Sequence, residues 1–264
     1  MFLITVMRIS LVFSRLLRQL SVMVALSFIA FQSSAQIPGG DKGPGTLNAA
    51  MVHLFGPNTN FIAKTEAHVF DKNKKETTVM PLGFEMLSGN IRVEVSLTQV
   101  KSVEISPELF DQMKQIGMDR LVTVQMLDKK TVLTIYPGLK SYVEMPMGKD
   151  EIEAVNKDYK IQRTRDGKET IDGHVCDKDN VSLLDDKGVQ QKAIVWFAKD
   201  LKDFPVQIQL TEGEATLVMH FKEIKLGRPE ASHFEKPTGM KKFDTMEQLT
   251  TDAAMRKVNS AFTK

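Results

Sequence analysis

The chain has 264 residues, 42% of them hydrophobic, with 35 basic and 33 acidic side chains and a formal net charge of +2. Three arginines and no acid fall in the first 35 residues, so the remaining 229 carry 32 basic against 33 acidic groups. A near-neutral surface of mixed sign lacks the cationic field of a dedicated nucleic-acid binder, and a single cysteine, Cys176, excludes an intrachain disulfide.

Arg8, Arg15 and Arg18 lead into an apolar run, Leu20 to Phe31, followed by Ser33, Ser34 and Ala35. A basic start, a short apolar stretch and small residues together describe a secretory signal peptide, residues 1–35, cleaved near Ala35. The alternative is an uncleaved membrane anchor, but the run is shorter than the roughly 20 apolar residues a spanning helix requires. A periplasmic or secreted protein is therefore expected, with residues 36–45 (QIPGGDKGPG) as a flexible leader. No cysteine follows the cleavage site to carry a lipid.

Residues 46–55 place Leu47, Met51 and Leu54 on one helical face, ending at Gly56-Pro57. Strands follow. Phe61, Ala63, Ala67 and Val69 alternate with polar residues. Met80, Leu82, Phe84 and Met86 fall at period two, and Ser88-Gly89-Asn90 turns the chain into Ile91, Val93, Val95 and Leu97. Ser106-Pro107-Glu108 opens a helix to about Gly117, with Ser106 as the N-cap candidate.

Arg120 to Met147 reads as a three-stranded meander with turns at Asp128–Lys130 and Pro137-Gly138. Val122, Val124 and Met126 form an apolar face, with Thr123 and Gln125 opposite. Leu133, Ile135, Val143 and Met145 continue that face, and something must cover it. A second short helix is expected within 148–159. Strands then resume at Lys160–Thr164 and Thr170–Leu184, with a turn at Asp166-Gly167. Ala193, Val195 and Phe197 oppose Ile194 and Trp196 on a strand covered on both sides. Val206, Ile208 and Leu210 follow, then Leu217, Met219 and Phe221, after which the phase slips to Ile224 and Leu226. That slip predicts a bulge near Lys222-Glu223. Asp244–Phe262 reads as a terminal helix with Asp244 and Glu247 as its capping box. The expectation is one α+β domain over residues 46–243, a strongly curved antiparallel sheet of about 9–11 strands lidded by short helices, with a C-terminal helix over 244–264.

The sequence holds no G-x-S-x-G, H-E-x-x-H, P-loop or G-x-G-x-x-G pattern. His174, Cys176, Asp177 and Asp179 form a cluster of ligand-type residues, but two soft ligands at this spacing match no zinc or calcium loop. Cys176 is read as a small buried hydrophobe. No catalytic residue, metal or cofactor is expected, and the chain is read as not an enzyme. Met80, Met86, Met126, Met145 and Met219 all fall on apolar strand faces. Flexible thioethers suit a surface that adapts to variable apolar ligands, and they also serve as ordinary core filling.

Three local patterns resemble the LolA-like superfamily of periplasmic lipoprotein carriers. They are Thr134-Ile135-Tyr136-Pro137-Gly138-Leu139-Lys140-Ser141-Tyr142-Val143, the Trp196 to Pro205 hairpin, and Phe234-Glu235-Lys236-Pro237-Thr238-Gly239. Gly173-His174-Val175-Cys176 is similar to a step in secreted members of the same group. The resemblance implies an incomplete β-barrel whose apolar concave face holds an acyl chain or other lipid, in a secreted branch rather than in the carrier itself. It implies as cavity residues Met80, Leu82, Phe84, Met86, Val93 and Val95. Val122, Val124, Met126, Leu133, Ile135 and Met145 join them from the meander, and Leu217 and Met219 from the late strands. The expected partner is a lipid or lipidated protein met during transient envelope contact by a monomer, with no nucleic acid. The alternative is a cell-envelope scaffold or stress-sensing interaction domain with a self-filled core.

Overall fold

The computed structural model describes residues 52–103, 106–149, 152–153, 159–185, 188 and 190–262. The signal peptide, the leader and the first turns of the residue 46–55 helix lie outside the described residues, as does most of the helix expected within 148–159. Residues 52–54 form one helical turn ahead of the sheet.

Among the described residues thirteen strands form a single unclosed sheet. The first group comprises β1 (Asn60–Phe70), β2 (Glu76–Leu87), β3 (Asn90–Ser96), the two-residue β4 (Lys101–Ser102), β5 (Arg120–Met126), β6 (Thr131–Tyr136) and β7 (Ser141–Pro146). The second comprises β8 (Lys160–Ile171), β9 (His174–Leu184), β10 (Gln190–Ala198), β11 (Phe204–Glu212) and β12 (Ala215–Leu226), followed by β13 (Lys241–Phe243). Each group is an antiparallel meander of neighbours. They join where β1 pairs β12, giving the order β13-β7-β6-β5-β3-β2-β1-β12-β11-β10-β9-β8, with β4 on β2. Two helices complete the labelled elements, α1 (Pro107–Gln115) between β4 and β5 and α2 (Met246–Phe262) at the end. The curved sheet with helices agrees with the expected fold class, at thirteen strands rather than 9–11.

Several local readings are met. The bulge in β12 is real: pairing with β1 shifts between Ile62 and Lys64, and Glu223 takes the left-handed φ of 47°. Others differ for identifiable reasons. Asp166-Gly167 is a bulge and not a turn, because β8 runs on through it with its register against β9 shifting between Arg165 and Gly167. The turn comes later, at Asp172-Gly173. The α2 cap sits one residue beyond the expected one: Gln248 N donates to Thr245 Oγ1 at 3.2 Å, and Asp244 N donates to Gln248 Oε1 at 3.2 Å. Ser106 holds the N-cap position of α1 without a capping side-chain bond.

The C-terminal end of α1 is fixed by backbone. Gly117 N donates to Lys114 O at 3.1 Å and Met118 N to Met113 O at 2.8 Å, a Schellman closure with Gly117 at φ +77°. This turn lies directly on the Pro137–Leu139 turn, so a Cβ on Gly138 would stand 2.5 Å from the Gly117 carbonyl oxygen. Both parties are backbone and neither can rotate away. Gly138→Ala is expected to cost about 1–3 kcal/mol through overpacking, read as a lowered melting temperature.

The meander face that needed a cover turns out to be two faces, both covered. On one side Leu109 and Met113 of α1 and Leu249 and Ala253 of α2 close onto the main core. On the other, the segment after β12 crosses back over the sheet and lays Phe234, with Met240 beside it, on Val122, Val124, Leu133 and Ile135. The same segment then pairs as β13 in parallel with β7. Accordingly Gln125, read as part of the polar face opposite Val124, is buried at 4% exposure.

Candidate functional site: the filled inner face of the sheet

Directly paired residues of adjacent strands share a face, so the registers assign each candidate to a side. Phe61, Met86 and Ile91 form one row across β1, β2 and β3, and Phe84 and Val93 another. Ala67, Met80, Met219 and Ile208 make a third. This inner face holds Met80, Leu82, Phe84, Met86, Val93, Val95, Leu217 and Met219. Met145 belongs to it through its pairing with Val132, which in turn pairs Gln125 and so faces Ile91.

The other five candidates face away. Val93 pairs Thr123, while Arg92 pairs Val124 and Glu94 pairs Val122. Val122, Val124 and Met126 therefore lie on the outer face, together with their partners Leu133 and Ile135. They form the small cluster beneath Phe234, separate from the main core. Alternation within β5 is as read, but its phase relative to β3 is set by pairing, which periodicity cannot report.

The centre of the inner face is packed with aromatic rings. Five phenylalanines at no more than 1% exposure meet at its centre: Phe61 on β1, Phe84 on β2, Phe204 on β11, Phe221 on β12, and Phe55. Phe61 and Phe84 stack with centroids 5.6 Å apart and planes 2° from parallel, and Phe204 meets Phe61 edge-on at 4.8 Å. Phe55 touches all four, at 4.9 Å from Phe61, 5.9 Å from Phe84, 5.5 Å from Phe204 and 5.4 Å from Phe221. Aromatic pairs in such geometries contribute about 0.5–1.5 kcal/mol each beyond the area they bury.

Phe55 is the member of this cluster that no strand carries. It sits just before Gly56-Pro57, in a segment whose backbone bonds close on itself: Phe55 N to Val52 O at 3.2 Å, Gly56 N to His53 O at 3.1 Å, and Asn58 N to Phe55 O at 3.0 Å. Asn58 Nδ2 anchors the segment to the Lys202 carbonyl at 3.1 Å. Helical periodicity puts Leu54 on the apolar face and leaves Phe55 off it. The available signal was an aromatic set immediately before a Gly-Pro break and a strand.

The ligand-type cluster on β9 resolves into hydrogen bonds and ion pairs. His174 Nδ1 lies 2.6 Å from Asp200 Oδ2, and the Cys176 thiol, fully buried, donates to the His174 carbonyl at 3.3 Å. Burial pushes the Cys176 thiol above its ordinary range. Asp177, at 2% exposure, is held by Lys199 at 3.0 Å and by Arg165. Asp179, at 5%, accepts from Arg163 Nε at 2.8 Å, and the Arg163 guanidinium stands 3.6 Å over the Phe197 ring. These pairs lash the edge strand β8, otherwise exposed along most of its length, to β9. Among the described residues no three His, Cys, Asp or Glu side chains converge as metal ligands.

The bond from Lys199, with the charges of Arg165 and Lys199, holds the Asp177 carboxyl below the ordinary carboxylate range. Lys236 and then Lys242 do the same for Glu144. A lowered folded-state value means stability that is complete above the unfolded value near about 4 and lost as pH falls through the folded one. The melting temperature is therefore expected to drop on acidification below roughly pH 4–5. Asp177→Asn should start lower at neutral pH and show a shallower acid slope in a melting series across pH.

The chain thus builds an unclosed, curved sheet with an aromatic-filled inner face. A family model described as a domain of unknown function (DUF4412) matches residues 79–205. No curated protein matches the chain. Among solved structures it is similar to the LolA superfamily protein NE2245 from Nitrosomonas europaea, at 11% identity over 73% of this chain and 96% of that one, with a TM-score of 0.35. It is also similar to the lipoprotein LppX of Mycobacterium tuberculosis, at 11% identity over 69% and 96% with a TM-score of 0.34. MucB in the MucA/MucB complex of Pseudomonas aeruginosa matches at 10% identity over 74% and 61%, with a TM-score of 0.32.

Proposed function

We propose that this is a non-catalytic binding protein of the cell envelope that takes an acyl chain or similar apolar ligand onto the inner face of its sheet, in the place Phe55 holds. The observation that carries the reading is the origin of Phe55. The other four rings stand on paired strands and cannot leave without breaking the sheet, whereas Phe55 rides on a short self-bonded segment outside it. Swinging that segment out opens a site walled by Phe61, Phe84, Phe204 and Phe221, in a core that also holds Met86 and Met219, whose flexible thioethers adapt to an incoming chain. The signal peptide read from residues 1–35 supports an extracytoplasmic setting, where lipids and lipidated proteins are the apolar partners at hand. Among the described residues no helix is long and apolar enough to cross a membrane.

A second reading, an interaction domain with a permanently self-filled core, is favoured by the burial of the same side chains. Organic extraction of natively purified protein followed by mass spectrometry separates the two. Stoichiometric lipid, or saturable uptake of a fluorescent fatty acid by stripped protein, is the expected result. A ligand-free preparation that also fails to take up the probe supports the self-filled core.

A further inference from the structure

The outer face of β8–β11 carries a groove of about 580 Å³, within the roughly 300–1,000 Å³ of small-molecule sites, on the opposite side of the sheet from the phenylalanine cluster. Its chemistry is unlike the rest of that face. Around β1–β3 and β12 the outward side chains are spent on one another: Lys64 on Glu223 at 2.8 Å, Lys222 on Glu66 at 2.7 Å, Arg92 on Glu85 at 2.9 Å. In the groove, cross-strand pairing lines up Thr164, Asn180 and Gln209 around Ile194, with Gln162 and Lys192 in the next row. Among the described residues, the side chains of Gln162, Thr164, Asn180, Lys192 and Gln209 make no hydrogen bond or ion pair with the protein. The nearby hydroxyls of Ser182 and Thr211 are engaged only with neutral polar groups, Ser182 Oγ accepting from the Gln190 amide at 2.6 Å and Thr211 Oγ1 lying 3.2 Å from Thr216 Oγ1.

We propose that this groove binds a neutral, polyhydroxylated ligand, a glycan chain. Each amide offers a donor and an acceptor, and each hydroxyl offers both, which is the requirement for matching sugar hydroxyls that do the same. The lining contains no carboxylate to hold a cation, and its one charge, Lys192, is too little for a polyanion. Ile194 gives an apolar floor for the C–H face of a ring, flanked by the backbone of Val181 and Ala193. An extended peptide would add to the free edge of β8 through its backbone and would not lie across these side chains.

The test titrates the mature chain with chitotetraose, maltotetraose and cellotetraose by calorimetry and saturation-transfer NMR. A sulfated oligosaccharide, a single-stranded oligonucleotide and an extended peptide are run beside them. At least one neutral tetrasaccharide is expected to bind. Asn180→Ala with Gln209→Ala is expected to weaken it roughly tenfold, the loss of about two hydrogen bonds, with an unchanged melting temperature because both side chains are solvent-facing and unpaired. The proposal is overturned if no neutral tetrasaccharide binds at millimolar concentration. It is equally overturned if binding survives the double substitution undiminished, or if the sulfated sugar, oligonucleotide or peptide binds more tightly. None of these outcomes depends on whether the inner face takes up an acyl chain.

Discussion

Phe55→Ala is expected to cost about 3–5 kcal/mol, the range for emptying an aromatic site in a core, and to lower the melting temperature by roughly 6–20 °C for a chain of this size. The ring touches four others and is itself fully enclosed, so its removal leaves a dry cavity walled by side chains that are fixed on four strands and cannot collapse into it. An apolar cavity of that kind is a binding site in its own right. A fluorescent fatty acid is therefore expected to bind the variant more tightly than the parent, because the ligand no longer competes with the native ring. It should also restore part of the lost melting temperature, as any ligand selective for the folded state does. Loss of stability with no gain in uptake would mean that Phe55 is core and nothing more.

Leu133→Ala is the matched control, with an expected cost of about 2–5 kcal/mol. Leu133 is completely buried, yet it lies in the outer cluster beneath Phe234, on the far side of the sheet from the aromatic site. The two substitutions should therefore cost similar stability while diverging in binding: Phe55→Ala changes fatty-acid affinity and Leu133→Ala leaves it at the parent value. If Leu133→Ala reduces uptake as much as it reduces stability, the assignment of faces is wrong. Urea titrations with the slope compared between variants give the stability terms, and probe titrations well below the melting temperature give the affinities.

The contrast between these two residues shows how far the sequence could be read. Period-two alternation located β1–β3, β11 and β12 closely, and the slip after Phe221 correctly announced the bulge at Glu223. Alternation says which residues of a strand share a face, but only pairing says which face of the next strand they join. Val93 and Val122 both lie in clean alternations, yet Val93 pairs Thr123, so half of the meander's apolar residues belong to a second cluster. The cover over that cluster comes from a segment of irregular backbone, and β13 is three residues long, so neither carries a periodic signal. Only its place before Gly56-Pro57 marks Phe55 in the sequence, for a related reason: its importance comes from four rings scattered over residues 61–221. The groove residues read individually as ordinary outward polar positions. Their neutrality as a group exists only once β8, β9, β10 and β11 are laid side by side.

The displacement of Phe55 can be watched directly. In a chain carrying Trp196→Phe, the substitution Phe55→Trp places the sole indole at the centre of the inner face, where its emission is blue-shifted by burial. On titration with palmitate a saturable red shift is expected, as the ring is expelled to solvent and the acyl chain takes its place. Palmitate binding that leaves the emission unmoved, or no binding at all, would contradict the displacement.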